Sequence, residues 1–299
     1  MADVAIRTEG LAKHFKDVVA LTGLDLEVPT GVVFGFLGPN GAGKTTLIRL
    51  LVGLLKPTSG KAWVLGRDIV ADRRALHREV GYLPGDFAPD KDLTAEEYLR
   101  YLANLRGDVD PGDVTALADR FGLALDKPIA ALSHGNRQKV GIVQAFMHRP
   151  PLVLLDEPTQ GLDPLMQREF IQLLREHRDE GKTVFLSSHV LSEVQELADS
   201  VAMVRAGKLV MTAGVGELRD STRHHLELTL ADGVEPPVAA LEALGSVTEV
   251  AMVDGTVHLT VEGSMAEVVR LVAPLGVERL VSQELDLEEL FLSYYGEDG

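Results

Sequence analysis

The stretch GVVFGFLGPNGAGKTTLIRLLVGL, residues 31–54, limits the possible folds more than any other part of the chain. A short run of branched and aromatic residues leads into GPNGAGKT, which fulfils the spacing G-x-x-x-x-G-K-[ST], and a helical apolar pattern follows at once. Strand, glycine-rich loop and helix in that order form a phosphate-binding loop. Gly38, Gly41 and Gly43 let the backbone curl until its N–H groups converge on phosphate oxygens, and the start of the following helix adds a favourable field. Lys44 would reach the β- and γ-phosphates of a nucleoside triphosphate, and Thr45 would ligate Mg²⁺. Pro39, Asn40, Ala42 and Thr46 complete the loop that would line the nucleotide.

A second apolar run, PLVLLDEP (151–158), ends on adjacent carboxylates. As a strand it would bring Asp156 beside the magnesium site, with Glu157 next in line to accept a proton from an attacking water or to orient it. KTVFLSS (182–188) is a third buried strand of the same kind. TTLIRLLVGL and SEVQELADS read as intervening helices, and VAMVRAGKLVMTAG (201–214) reads as a hairpin turning at Ala206-Gly207. This alternation of buried parallel strands and helices predicts an α/β core. Residues 86–149 break it: helices dominate, as in a helical insertion. There Thr94 and Glu97 form a capping box, and Leu99, Leu102 and Leu105 are expected on one helix face.

The chain changes character near residue 220. Residues 220–299 hold 16 acidic and 3 basic residues, a net of −13 out of −16 for the whole chain, so the boundary is expected between residues 1–219 and 220–299. In the second part HLELTLAD, VTEVAMV-DG-TVHLTVEG and VERLVSQE read as strands, and PVAALEALG and MAEVVRLVAPLG as helices. Their order, βαββαβ, predicts a small α+β ferredoxin-like domain, closed by a last helix LEELFLSYYG. An acidic chain with no basic tract argues against nucleic acid as a partner. The absence of cysteine removes disulfides, thiolate metal sites and cysteine nucleophiles. No apolar run approaches the ~18 residues of a membrane span, and MADVAIRTEG lacks the pattern of a signal peptide, so a cytosolic protein is expected.

GPNGAGKTT, LSHGN, LLDEPTQGLDP and LSSH occur in this order, and over about residues 4–219 the chain resembles the nucleotide-binding subunit of ATP-binding cassette (ABC) transporters. The spelling FGFLGPNGAGKTT, GYLPGD and GNRQKV is most similar to bacterial drug and antibiotic exporters, and the acidic segment resembles the extra domain that often follows those cassettes. The resemblance implies ATP and Mg²⁺ as ligands, with Thr45 and Asp156 on the metal. It implies two copies paired head to tail, so that Ser133 and Gly135 of one face the γ-phosphate held by Lys44 of the other. Phe15 would stack on adenine and Asp163 would touch the opposing site. His189 would contact the γ-phosphate and hold water in line with Glu157. A separate membrane permease would be the partner, with this subunit on the cytoplasmic face, efflux of a drug-like or lipophilic molecule as the function, and ATP hydrolysis as its source of energy. An importer ATPase and a soluble, non-transport ABC protein are the alternatives.

The sequence departs from the family pattern at three positions. His134 stands for Gly and Asn136 for Gln in the LSGGQ-like segment. His134 is expected either as a tolerated rim residue or as a donor near phosphate. Gly85 stands where the family usually has Gln, and Asp86 or a water is expected to compensate.

Overall fold

A computed structural model describes residues 3–216, 223–231, 233–253 and 255–284. The chain forms two compact units, residues 1–213 and 214–299.

The first unit opens with two long strands, β1 (Val4–Phe15) and β2 (Val18–Pro29), and continues through β3 (Val33–Leu37), α1 (Lys44–Leu51), β4 (Ser59–Val64), β5 (Arg67–Asp68), α2 (Arg73–Glu79) and β6 (Val80–Leu83). Strands β2-β1-β4-β5 make an antiparallel sheet. After the helices α3 (Ala95–Arg106), α4 (Pro111–Arg120) and α5 (His134–Phe146), the chain resumes alternation with β7 (Leu152–Asp156), α6 (Pro164–Asp179), β8 (Thr183–Ser188), α7 (Leu191–Leu197), β9 (Ser200–Arg205) and β10 (Lys208–Gly214). These strands form a second sheet in the order β10-β9-β3-β8-β7-β6, parallel from β9 through β6. All residues of β3, β7 and β8 are buried. That is the consequence of covering both faces of a parallel sheet, and it is why these strands read as continuous apolar runs. The β9–β10 turn has positive φ at Ala206 (47°) and Gly207 (75°), as a two-residue hairpin turn requires.

One core joins the two sheets around α1. Leu47, Ile48, Leu50 and Leu51 of the helix pack with Phe34, Phe36 and Phe185 of one sheet and Ile6 and Leu24 of the other. Each such side chain contributes about 1.5–3 kcal/mol when fully buried. The helix that carries Lys44 and Thr45 is therefore clamped from both sides.

The helical insertion has a separate core of Leu99, Ala118, Ile129, Val140, Val143 and Met147. Thr94 caps α3 in the expected box: Glu97 N–H donates to the Thr94 hydroxyl at 3.2 Å, and Thr94 N–H donates to the Glu97 carboxylate at 2.9 Å. The expected leucine face is corrected, because Leu99 is buried while Leu105 is 67% exposed. A spacing of three falls short of the 3.6-residue turn, so the row drifts off the buried face. Arg120 of α4 pairs with Glu169 and Glu176 of α6 and ties the insertion to the core.

Beneath this junction lie two histidines, His148 and His177, each pushed down to about 4, chiefly by burial, with Arg106 and Lys182 respectively adding repulsion. Between their unfolded value near 6.5 and about 4, the unfolded chain binds protons that the folded chain does not. Stability is therefore full above about pH 6.5 and falls as pH drops, by about 3 kcal/mol per histidine over the window. Urea unfolding followed at about pH 7.5 and about pH 5 is expected to show a lower midpoint at the acidic value. The double variant H148Q/H177Q should show a smaller difference.

The second unit follows the order β11 (Arg223–Leu230), α8 (Val238–Glu242), β12 (Val247–Val253), β13 (Thr256–Glu262), α9 (Ala266–Val272) and β14 (Val277–Glu284). Its sheet runs β12-β13-β11-β14 with every neighbour antiparallel. Leu226, Leu228, Val257, Leu259 and Val261 of the sheet pack with Leu241, Val268 and Val272 of the helices. Val253 pairs with Thr256, while Asp254 of the expected Asp-Gly turn lies outside the described residues. The expected boundary at 219/220 and the expected helix LEELFLSYYG both lie outside the described residues.

Candidate functional site

The loop after β3 is built around its glycines. A Cβ on Gly38 would overlap the carbonyl of Val204, and one on Gly43, which has φ 108°, would come 2.6 Å from the Ala20 carbonyl oxygen. Ala42 is buried, while Pro39, Asn40 and Gly41 form an exposed rim and Thr45 and Thr46 are half-buried. Lys44 opens α1 and is only 6% exposed. Its Nζ donates to the carbonyls of Gly38 at 2.6 Å and Pro39 at 3.2 Å, and it lies 3.2 Å from Glu157 Oε1.

The ends of β7 and β8 meet this loop. Asp156 is 1% exposed, and the Ser187 hydroxyl donates to its Oδ1 at 2.6 Å. The same hydroxyl accepts from Glu157 N–H at 3.1 Å, so one serine orients both consecutive acidic residues. Glu157 has φ 49°, the left-handed region that side chains other than glycine rarely occupy. That bend turns its carboxylate back over the strand ends. There one oxygen meets Lys44 and the other meets His189 Nδ1 at 2.8 Å. Lys44, Glu157 and His189, three of the expected site residues, thus form one chain of charge-assisted contacts.

Ser133 and Gly135 lie at the start of α5. The Ser133 hydroxyl accepts from Asn136 N–H at 3.2 Å and caps the helix. Sequence reasoning assigns Gly135 to the passage of a phosphate, and the structure adds a reason inside the chain: a Cβ there would come 2.6 Å from the Gly161 carbonyl oxygen. His134 packs its ring against Gly161, so it belongs to this loop junction. Gln138 of α5 donates to the Pro158 carbonyl at 3.1 Å. The start of α5 and the loop after β7 are therefore one packed assembly, which nothing in the spacing of the sequence reveals. Gly135→Ala is expected to destabilise the protein by about 1–3 kcal/mol, since the loop 157–163 must shift. It should also lower ATP turnover by at least about tenfold, because that loop begins at Glu157. Thermal unfolding and ATPase assays on one preparation check both effects.

Asp163 caps α6, accepting from Leu165 and Met166 N–H at 3.1 and 3.0 Å. Phe15, at the end of β1, is 42% exposed and has Lys13 Nζ 5.0 Å from its ring centre, so one aromatic face is covered by a cation. Gly85 lies against Asp156: a Cβ on it would be 3.4 Å from Oδ2. The expected substitute, Asp86, presents a carboxylate 98% exposed, 4.0 Å from Arg49. Tyr82, whose phenol is pushed up by burial and by the Asp156 charge, borders the same carboxylate, with Arg49 close by. Neither Tyr82 nor Arg49 stands out in the sequence.

A family model for ABC transporters matches residues 21–160, a span that includes the loop of Lys44 and the Asp156–Glu157 pair. The bacitracin transport ATP-binding protein BcrA of Enterococcus faecalis is 34% identical, over 99% of this chain and 98% of its own length. The chain belongs to the ABC transporter family. Within the family its first unit is an ABC ATPase cassette. The daunorubicin resistance ATP-binding protein DrrA3 of Streptomyces coeruleorubidus is 34% identical over 100% of this chain and 98% of its own length. Among solved structures, an ATP-binding subunit of an ABC transporter superposes with a TM-score of 0.67 at 28% identity, covering 72% of this chain and 92% of that one.

Proposed function

We propose that this chain is the ATP-hydrolysing subunit of an exporter, and that it drives efflux of a drug-like or lipophilic molecule through a separate membrane permease. The observation that carries the reading is the contact chain Lys44–Glu157–His189 at the ends of three neighbouring strands. Its likeness to BcrA and DrrA3 along nearly their whole length supports the export direction. No helix among the described residues is long and apolar enough to cross a membrane.

The loop 38–46 holds the phosphates with backbone N–H groups, and Lys44 exchanges the carbonyls of Gly38 and Pro39 for phosphate oxygens. Phe15 offers its uncovered face to the adenine. Glu157 takes a proton from the attacking water, and His189 keeps that carboxylate in place and meets the γ-phosphate. Thr45 and Asp156 fit a magnesium ion, because they supply a hydroxyl and a carboxylate, hard oxygen donors to be completed by phosphate and water. When bound, the ion neutralises phosphate charge. A second copy contributes Ser133 and Gly135 across the nucleotide, and Asp163 lies at the same junction. The acidic second unit is a ferredoxin-like accessory domain that follows the cassette.

Purification of the full chain from detergent-solubilised membranes tests the reading. A co-purifying multi-span permease whose substrate efflux requires ATP supports it. Co-purification with a substrate-binding protein or with ribosomes overturns it.

A further inference from the structure

Glu193 lies outside the residues that face nucleotide, yet its carboxylate connects the two loops that carry the catalytic pair. It is half-buried on α7. Its Oε2 accepts a hydrogen bond from the Thr159 hydroxyl at 2.9 Å and another from the Ser188 hydroxyl at 3.2 Å. Thr159 stands two residues after Glu157, and Ser188 stands one residue before His189. Both hydroxyl residues are buried, Thr159 at 8% and Ser188 at 2% exposure, so water is a poor substitute for the bonds they make.

The carboxylate itself has a firm base. The next residue, Val194, is fully buried and sits against Gly35 in the middle of β3, where a Cβ would overlap it. Helix α7 is thereby seated directly on the central strand of the parallel sheet. The Ser188 hydroxyl also accepts from Val190 N–H at 3.0 Å, which fixes the turn that carries His189.

We infer that Glu193 is a positioning residue for hydrolysis: it clamps the loop after β7 to the loop after β8 and so sets the His189–Glu157 contact of 2.8 Å. Ser187 makes the corresponding brace on the inner side, through Asp156 and the Glu157 amide. Glu193 makes it on the outer side. Only groups held to within a fraction of an ångström keep a reacting geometry, so loosening one brace affects the chemical step before it affects nucleotide binding.

The inference rests on the reading of Glu157 and His189 as the water-activating pair, and the experiment separates the two. ATP turnover and the affinity for a fluorescent ATP analogue are measured for wild type, E193A, E193Q, T159V and H189A, and for E193A/H189A, using single-turnover assays where rates are low. E193A is expected to lower kcat about tenfold with analogue affinity within about twofold. E193Q, whose amide oxygen still accepts both hydroxyls, should recover to within about threefold of wild type. T159V, which removes one end of the clamp without touching α7, should lose about as much as E193A. In the H189A background E193A should cost less than about twofold more, since the residue acts through that histidine. Wild-type kcat in E193A and T159V, or effects of E193A and H189A that multiply, overturns the inference. Full turnover in H189A overturns the underlying reading instead, whatever Glu193 does.

Discussion

Glu157→Gln is expected to lower ATP turnover by about 100- to 1,000-fold while nucleotide affinity stays the same or rises. The range is that of a removed general base. Glutamine matches the size and the shape of glutamate, and it can still accept from His189, so the strand ends need not rearrange. What disappears is the anion that lies 3.2 Å from Lys44 and competes with phosphate for it. The lysine then meets the nucleotide without first leaving a carboxylate, so binding does not weaken. ATP-loaded protein should accumulate as a dimer, because opening depends on hydrolysis. Steady-state phosphate release and sedimentation with saturating ATP give both quantities. Vigorous multiple turnover in this variant would remove Glu157 from its role.

Lys44→Ala is expected to do the reverse, weakening nucleotide binding by about 30- to 100-fold, with turnover falling along with it. A charged hydrogen bond contributes about 1.5–3 kcal/mol, and this ammonium is placed to make more than one to phosphate. The side chain is 6% exposed and already close to its working position, held by two carbonyls of the loop it will serve. Its loss also leaves Glu157, 18% exposed, without its cation, so a small drop in thermal stability accompanies the binding defect. Titration with a fluorescent ATP analogue separates this variant from Glu157→Gln, in which affinity is kept. Unchanged affinity in Lys44→Ala would place the phosphates elsewhere.

The sequence displays the phosphate loop and the buried strands clearly because their determinants are local. Glycine spacing, a lysine at a helix start and fully apolar runs all lie within a few residues of one another. The antiparallel sheet β2-β1-β4-β5 left no such trace. Register shifts along β1, between Thr8 and Leu11 and again around Lys13, break the alternation by which a half-buried strand is recognised. Leu105 leaves the buried face because three-residue spacing drifts around a helix. The clamp at Glu193 joins side chains from three segments through hydroxyls, and a serine or threonine in a sequence does not disclose its partner. Gly135 reads in the sequence as a position intolerant of bulk, but its immediate neighbour, the Gly161 carbonyl, belongs to a loop 26 residues further along the chain.

The backbone at Glu157, with φ 49°, has a consequence for how such proteins change over time. Residues other than glycine and asparagine sit in that region at a cost of about 1 kcal/mol or more. Replacement by either of those two would ease the local geometry and spare the fold, yet it would silence hydrolysis. A duplicated gene relieved of selection at this codon has an easy downhill route to a nucleotide-binding but inert paralogue, one that can still serve as a scaffold beside an active sister.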